Sequence, residues 1–270
     1  MSPLRMNNST RFVRKTFAAF AFLAVVVYGA NAALPEGLLL PTIEESQAGQ
    51  VEPEVHPSPA CAHSTGQIVA ALVRHPLDAQ KFPVSADWDV AMPAAFCWNW
   101  KGDPEPQGET EVRILWSRQF LYFHFLAHYR QLYVFPETDG RRERLWQRDV
   151  AEVFLQPDTK LPDHYKEFEV SPKGEWLDLD IFPGGASNLM CDVKTSTTID
   201  GERHIWIAEM ALPIKCITQA FDPDAIWKLN LFRIEGTDPG RRYFAWQPTK
   251  TPRPNFHVPA VFGTLKFSRN

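Results

Sequence analysis

The chain has 270 residues, of which 44% are hydrophobic, 22% charged and 13% aromatic, with nine Trp and 19 Phe. This composition excludes a mainly disordered, collagen-like or coiled-coil protein, and a net charge of −4 excludes a global basic field for nucleic acid. Pro (23) outnumbers Gly (14), and together with the aromatic load this favours strands and structured loops over long helices.

Arg5, Arg11, Arg14 and Lys15 precede an apolar run from Phe17 to Tyr28, and Ala30-Asn31-Ala32 supplies small residues where a signal peptidase reads. The layout predicts a secretory signal over residues 1–32, since the run is short for a membrane span of ~20 residues. The protein is therefore expected to be secreted or periplasmic, with no membrane insertion after cleavage and no nucleic-acid partner; oligomeric state is not legible. Residues 33–66, rich in Pro, Glu, Ser and Ala and punctuated by Pro53, Pro57 and Pro59, read as a linker or extended arm. The globular domain is expected over residues 67–270. Cys61, Cys97, Cys191 and Cys216 allow two disulfides in three connectivities, or buried free thiols. No pair has C-x-x-C spacing, which disfavours zinc and thioredoxin-like chemistry.

The domain reads as strands. Glu111 to Trp116 alternates, with Val112, Ile114 and Trp116 on one side; Ser117-Arg118-Gln119 turns the chain into Phe120 to Leu126. Val150 to Leu155 is a short strand ended by Gln156-Pro157-Asp158. Tyr165 to Val170 places Phe168 and Val170 on one face and Tyr165, Glu167 and Glu169 on the other. Ser171 to Gly174 turns into Glu175 to Ile181. Asp200-Gly201 predicts a hairpin before His204 to Leu212. Ile226 to Ile234, Tyr243 to Trp246 and Thr264 to Phe267 complete the set, and Pro213 to Ala220 reads as the one short helix. Short, evenly spaced strands predict an all-β, antiparallel β-sandwich of jelly-roll or immunoglobulin-like type.

The chain has no G-x-S-x-G, H-E-x-x-H, G-x-G-x-x-G or phosphate-cradling loop. His124 and His128 are four apart, but on a strand that spacing is ~13 Å, too far to share a metal ion. What stands out is an aromatic and acidic set: Trp146 and Arg148 before the strand carrying Glu152, Glu167 and Glu169 on one strand face, Arg233 and Glu235 on a later strand, and Trp246, Asn255, Phe256 and His257 near the C-terminus. Sugars present apolar C–H faces and a rim of hydroxyls, which flat rings and carboxylates or Arg can match.

The segment from Leu145 to Pro157, followed by Tyr165 to Gly174, resembles carbohydrate-binding module family 9 and its wider relatives. The likeness extends to Thr110–Trp116, Phe120–Phe123, Trp206–Pro213, Trp227–Glu235, Ala245–Pro248 and Asn255–Leu265, so it covers nearly all of residues 67–268. The resemblance implies an antiparallel jelly-roll sandwich found in xylan-degrading glycoside hydrolases, gripping the end of a glycan between two aromatic rings. It maps Trp146 to one ring and Phe256 to the other, Glu152 to a carboxylate that bonds sugar hydroxyls, and Arg233 to a polar ligand position. Glu169 stands where sugar-binding members carry a basic residue, and Tyr129 where an acidic residue closes the site edge. The expected site is thus Trp146, Glu152, Glu169, Arg233 and Phe256, with a carbohydrate as partner and no catalytic residue. No cofactor is expected; calcium is structural in some members, though no dense Asp/Glu loop here demands it. The expected role is a secreted accessory to polysaccharide catabolism. The alternatives are a hydrolase acting on O-glycosyl bonds through Glu152 with Glu167 or Glu169, a structural domain with a degenerate sugar site, and a haem-binding relative using Met190, Met210, His204 or His257.

Overall fold

The computed structural model describes residues 65–74, 82–137 and 140–269. The expected signal segment, all but the last two residues of the expected arm, and Cys61 lie outside them. Among the described residues there are thirteen strands and two four-residue helices. In chain order these are β1 (Gln67–Leu72), α1 (Ser85–Trp88), β2 (Ala94–Phe96), β3 (Thr110–Trp116), β4 (Phe120–His128), β5 (Val150–Gln156), β6 (Tyr165–Val170) and β7 (Trp176–Phe182). There follow β8 (Gly185–Asn188), β9 (Lys194–Asp200), β10 (Ile205–Pro213), α2 (Ile214–Ile217), β11 (Trp227–Glu235), β12 (Arg242–Ala245) and β13 (Gly263–Ser268).

The strands form one continuous sheet in the order β8-β7-β6-β5-β11-β13-β1-β3-β4-β10-β9, with β12 on β11 and β2 on β3. The sheet curls, so that β5, β6 and β11 pack against β3, β4 and β10. Period-two alternation decides what fills the gap. Ala151, Val153 and Leu155 of β5, Phe168 and Val170 of β6, and Leu229 and Leu231 of β11 meet Val112, Ile114 and Trp116 of β3. Leu121, Phe123 and Phe125 of β4 and Trp206, Ala208 and Met210 of β10 join the same core. The sandwich expected from the sequence is therefore made by one folded-over sheet rather than two separate ones.

Most pairings are antiparallel, as expected, with β1 as the exception. It lies parallel to β13 on one side and to β3 on the other. Parallel neighbours require long connections: about forty residues separate β1 from β3, and β13 comes from the opposite end of the domain sequence. The hairpin expected at Asp200-Gly201 joins β9 to β10 in register Ile205↔Asp200. The helix expected over 213–220 shrinks to the single turn α2, since β10 continues through Pro213. His124 and His128 both sit on β4, where His124 packs against Trp88. Cys191 and Cys216 form a disulfide, Cys97 is also disulfide-bonded, and no described cysteine is free.

The outer face of β5, β6, β7 and β11 is covered in turn. Phe154, Tyr165, Leu177, Phe232 and Ile234 form a second apolar cluster with Phe256 and Phe262 from the segment before β13. That cover is incomplete, and the gap holds the site.

Candidate functional site

A cavity of about 340 Å³ opens on this outer face, lined by Trp146, Glu152, Glu167, Leu179, Ile181, Ala186, Ile234, Tyr243 and the stretch Pro254-Asn255-Phe256-His257. Its volume falls in the ~300–1,000 Å³ range of small-ligand sites. Strands β5 to β8 supply the floor through their outward residues, β11 and β12 one wall, and the C-terminal loop the other.

Trp146 stands at the mouth. It belongs to a 3-10 turn, Leu145–Gln147, entered through Arg144 in a left-handed backbone conformation (φ 58°). Leu145 is fully buried and anchors the turn, while Trp146 is 40% exposed. The turn is held from below by Arg241, whose guanidinium donates to the Trp146 carbonyl. Asp149 accepts hydrogen bonds from the Tyr133 amide at 2.9 Å and the Gly236 amide at 2.6 Å, tying the flanking loops together.

The opposite wall is a preorganised loop. The Trp100 indole donates to the Thr251 carbonyl at 3.1 Å, and Asn255 Oδ1 accepts from the His257 amide at 3.1 Å. Phe256 stacks on Phe232 with ring centroids 4.1 Å apart and planes 12° apart. His257 Nδ1 and the Tyr165 hydroxyl lie 2.8 Å apart. Burial lowers the His257 pKa and raises that of Tyr165.

Three carboxyls meet at the floor. In the β5–β6 ladder Glu152 faces Glu169 directly, and Glu167 lies one strand period from Glu169 on the same face. They are 2%, 4% and 0% exposed for Glu152, Glu167 and Glu169. Burial pushes all three pKa values up, Glu167 to about 7. The Glu167 charge raises Glu152 further and the Arg241 charge opposes it. The Glu152 and Glu167 charges raise Glu169, and the Trp146 backbone amide opposes them. The Glu167 and Glu169 side chains are hydrogen-bonded to each other.

These acids, together with Asp149, whose pKa burial raises from 3.8 to about 6, predict how stability depends on pH. A carboxyl whose pKa is higher in the folded than in the unfolded state contributes stability that is complete below its unfolded pKa. That contribution is lost as pH rises through its folded value. The unfolding free energy is therefore expected to fall between about pH 4 and about pH 7. Asp149 alone, moved from 3.8 to about 6, accounts for on the order of 3 kcal/mol. Denaturant titrations across that range test this, and a flat or rising profile would refute it.

Of the five residues expected from the sequence, Trp146, Glu152 and Phe256 line one cavity, and Glu169 lies buried beside it. Arg233 is not brought there. It lies on the core face of β11, where its guanidinium donates to the Gly108 carbonyl at 3.2 Å, Thr110 Oγ1 at 3.1 Å, the His128 carbonyl and Glu235. Alternation explains its place: Leu229, Leu231 and Arg233 share one face of β11, and Phe232 and Ile234 share the other. Tyr129 packs on His204 at the end of β4, in the other half of the sandwich. Leu179, Ile181, Ala186 and Tyr243 line the cavity but carried no signal of their own beyond strand parity. Among the described residues no group of three or more His, Cys, Asp or Glu is arranged to hold a metal ion.

No protein-family model matches the sequence. Three solved structures share the architecture. A candidate carbohydrate-binding protein from Bacteroides uniformis superposes with a TM-score of 0.63 at 21% identity, over 75% of this chain and 99% of that one. A family 9 carbohydrate-binding module from Caldicellulosiruptor kristjanssonii superposes in its cellotriose complex with a TM-score of 0.54 at 14% identity, over 76% of this chain and 94% of that one. The same organism's module in complex with glucose gives 0.54 at 13% identity, over 76% and 96%. The domain has the fold of carbohydrate-binding module family 9. An "Extracellular protein" from Arthroderma benhamiae is 24% identical over 183 residues, 61% of this chain and 81% of the relative. The family 9 fold accounts for the curled sheet, and the cavity lies on its outer face.

Proposed function

We propose that this domain is a secreted, non-catalytic sugar-binding module that acts as an accessory to polysaccharide breakdown. A sugar ring rests against Trp146, and its hydroxyls donate to Glu152 and Glu167. The observation that carries this reading is an exposed indole at the mouth of a cavity whose floor bears buried carboxyls. A large ring left in water at such a place has no core to fill, and stacking on an apolar sugar face is what it offers. Phe256 forms the facing wall, with one side of its ring already covered by Phe232. The solved neighbours bound to cellotriose and glucose support the ligand class. The disulfides and the extracellular relative support export.

Calorimetry against a panel of mono- and oligosaccharides tests the reading. Trp146→Ala is expected to weaken binding by about 1–3 kcal/mol, or roughly 5- to 150-fold. Wild type and variant behaving alike toward every glycan would remove the indole from the site.

A second reading has one observation in its favour. Glu152 and Glu167 line the same cavity with raised pKa values, as a two-carboxyl glycoside hydrolase would require. Release of reducing sugar by the purified protein, lost in Glu152→Gln, would carry it.

A further inference from the structure

The cavity floor is short of positive charge. Glu152, Glu167 and Glu169 occupy one face of two adjacent strands and are all at least nine-tenths buried. Arg241 acts on Glu152, but its guanidinium is committed to the Trp146 carbonyl and lies 5.5 Å from the Tyr243 ring centroid. The charges around Glu169 are those of Glu152 and Glu167. Glu152 and Glu167 line the cavity, and the side chain of Glu167 is hydrogen-bonded to Glu169, another acid. Buried carboxylates without a cation are costly, and a neutral hydroxyl supplies a hydrogen bond but no charge.

We propose that this site selects a sugar bearing a free, protonated amino group, an amino sugar of the glucosamine class alone or within a deacetylated chain. This rests on the sugar-binding reading and names its substrate class. An ammonium brings three donors and a positive charge to one point. It offsets the floor acids through charge-assisted bonds to Glu152 and Glu167, which line the cavity. The exposed Trp146 ring in the lining also favours a cation over its face.

The test is calorimetry on the intact protein at about pH 7 and low salt, where an amine of ordinary α-amino pKa, ~7.7, is mostly protonated. The probes are glucosamine, glucose and N-acetylglucosamine. N-acetylglucosamine keeps the ring and nitrogen but removes the charge. Glucosamine is expected to bind at least about tenfold tighter than either neutral sugar. The preference should shrink as ionic strength rises and fall to about twofold or less in Glu167→Gln. If that variant fails to fold, the three-ligand comparison on wild type decides alone. Equal or tighter binding of glucose or N-acetylglucosamine overturns the inference while leaving a sugar-binding domain. A preference indifferent to salt also overturns it. Binding to none of the three, nor to any glycan on the panel, removes both.

Discussion

Arg233→Ala is expected to lower the unfolding free energy by about 3–5 kcal/mol, a large share of the ~5–15 kcal/mol that holds a typical domain together. The side chain is fully buried and reaches from β11 across the sandwich to the Gly108 and His128 carbonyls and Thr110 of the facing half. It also pairs with Glu235, which takes a second guanidinium from Arg242 and the Arg130 amide at 3.1 Å. Truncation leaves two carbonyls and part of a buried carboxylate unmet, and that desolvation makes the loss large. Denaturant midpoints measure it. A loss below about 1 kcal/mol would mean that water enters and replaces the guanidinium. Sugar affinity of the folded variant should match wild type, because Arg233 lies on the face opposite the cavity.

Removing the Cys191–Cys216 bond is expected to destabilise the domain by about 3–4 kcal/mol. The two cysteines are 25 residues apart, and closing a loop of that length restricts the unfolded chain by about this amount in the chain-entropy account. The bond ties the stretch before β9 to helix α2 after β10, outside the β9–β10 hairpin, so the hairpin ladder cannot replace it. The Cys191→Ser/Cys216→Ser double variant, compared with wild type by denaturant unfolding, checks the figure. A loss below about 1 kcal/mol would place the constraint elsewhere. Cys191 is also positioned by a second contact, its amide donating to the buried Asp178 carboxylate at 2.6 Å, so the variant should keep its local fold.

The parts of the fold that could be read from sequence are those where one physical signal acts alone. Tyr165 to Val170 alternates cleanly, and both the strand bounds and the assignment of Phe168 and Val170 to the core match the structure. Strand β8, Gly-Ala-Ser-Asn, has no apolar alternation and is exposed throughout, so nothing in its composition announced an edge strand. The parallel seat of β1 depends on residues almost two hundred positions away, beyond any local pattern.

The site divides along the same line. Trp146, Glu152 and Phe256 stood out within the aromatic and acidic set, and the resemblance gave each its role, since a loop phenylalanine carries no role signal of its own. Arg233 was misplaced for a definite reason. Strand β11 is apolar on both faces, so parity separates Arg233 from Phe232 but cannot say which side meets the cavity. Leu179 and Ile181 look like core residues because they line an apolar floor, and only the gap in the covering loop turns them into a binding surface.

The placement of Trp146 also provides a built-in reporter. Of the nine indoles it is the one counted among the exposed apolar side chains, while Trp206, Trp227 and Trp246 lie in the interior. Its fluorescence should therefore form the red-edge, acrylamide-quenchable component of the emission, and an occupant of the cavity would shield it. Ligand titrations can then be followed by intrinsic emission, without a label, with Trp146→Phe as the blank.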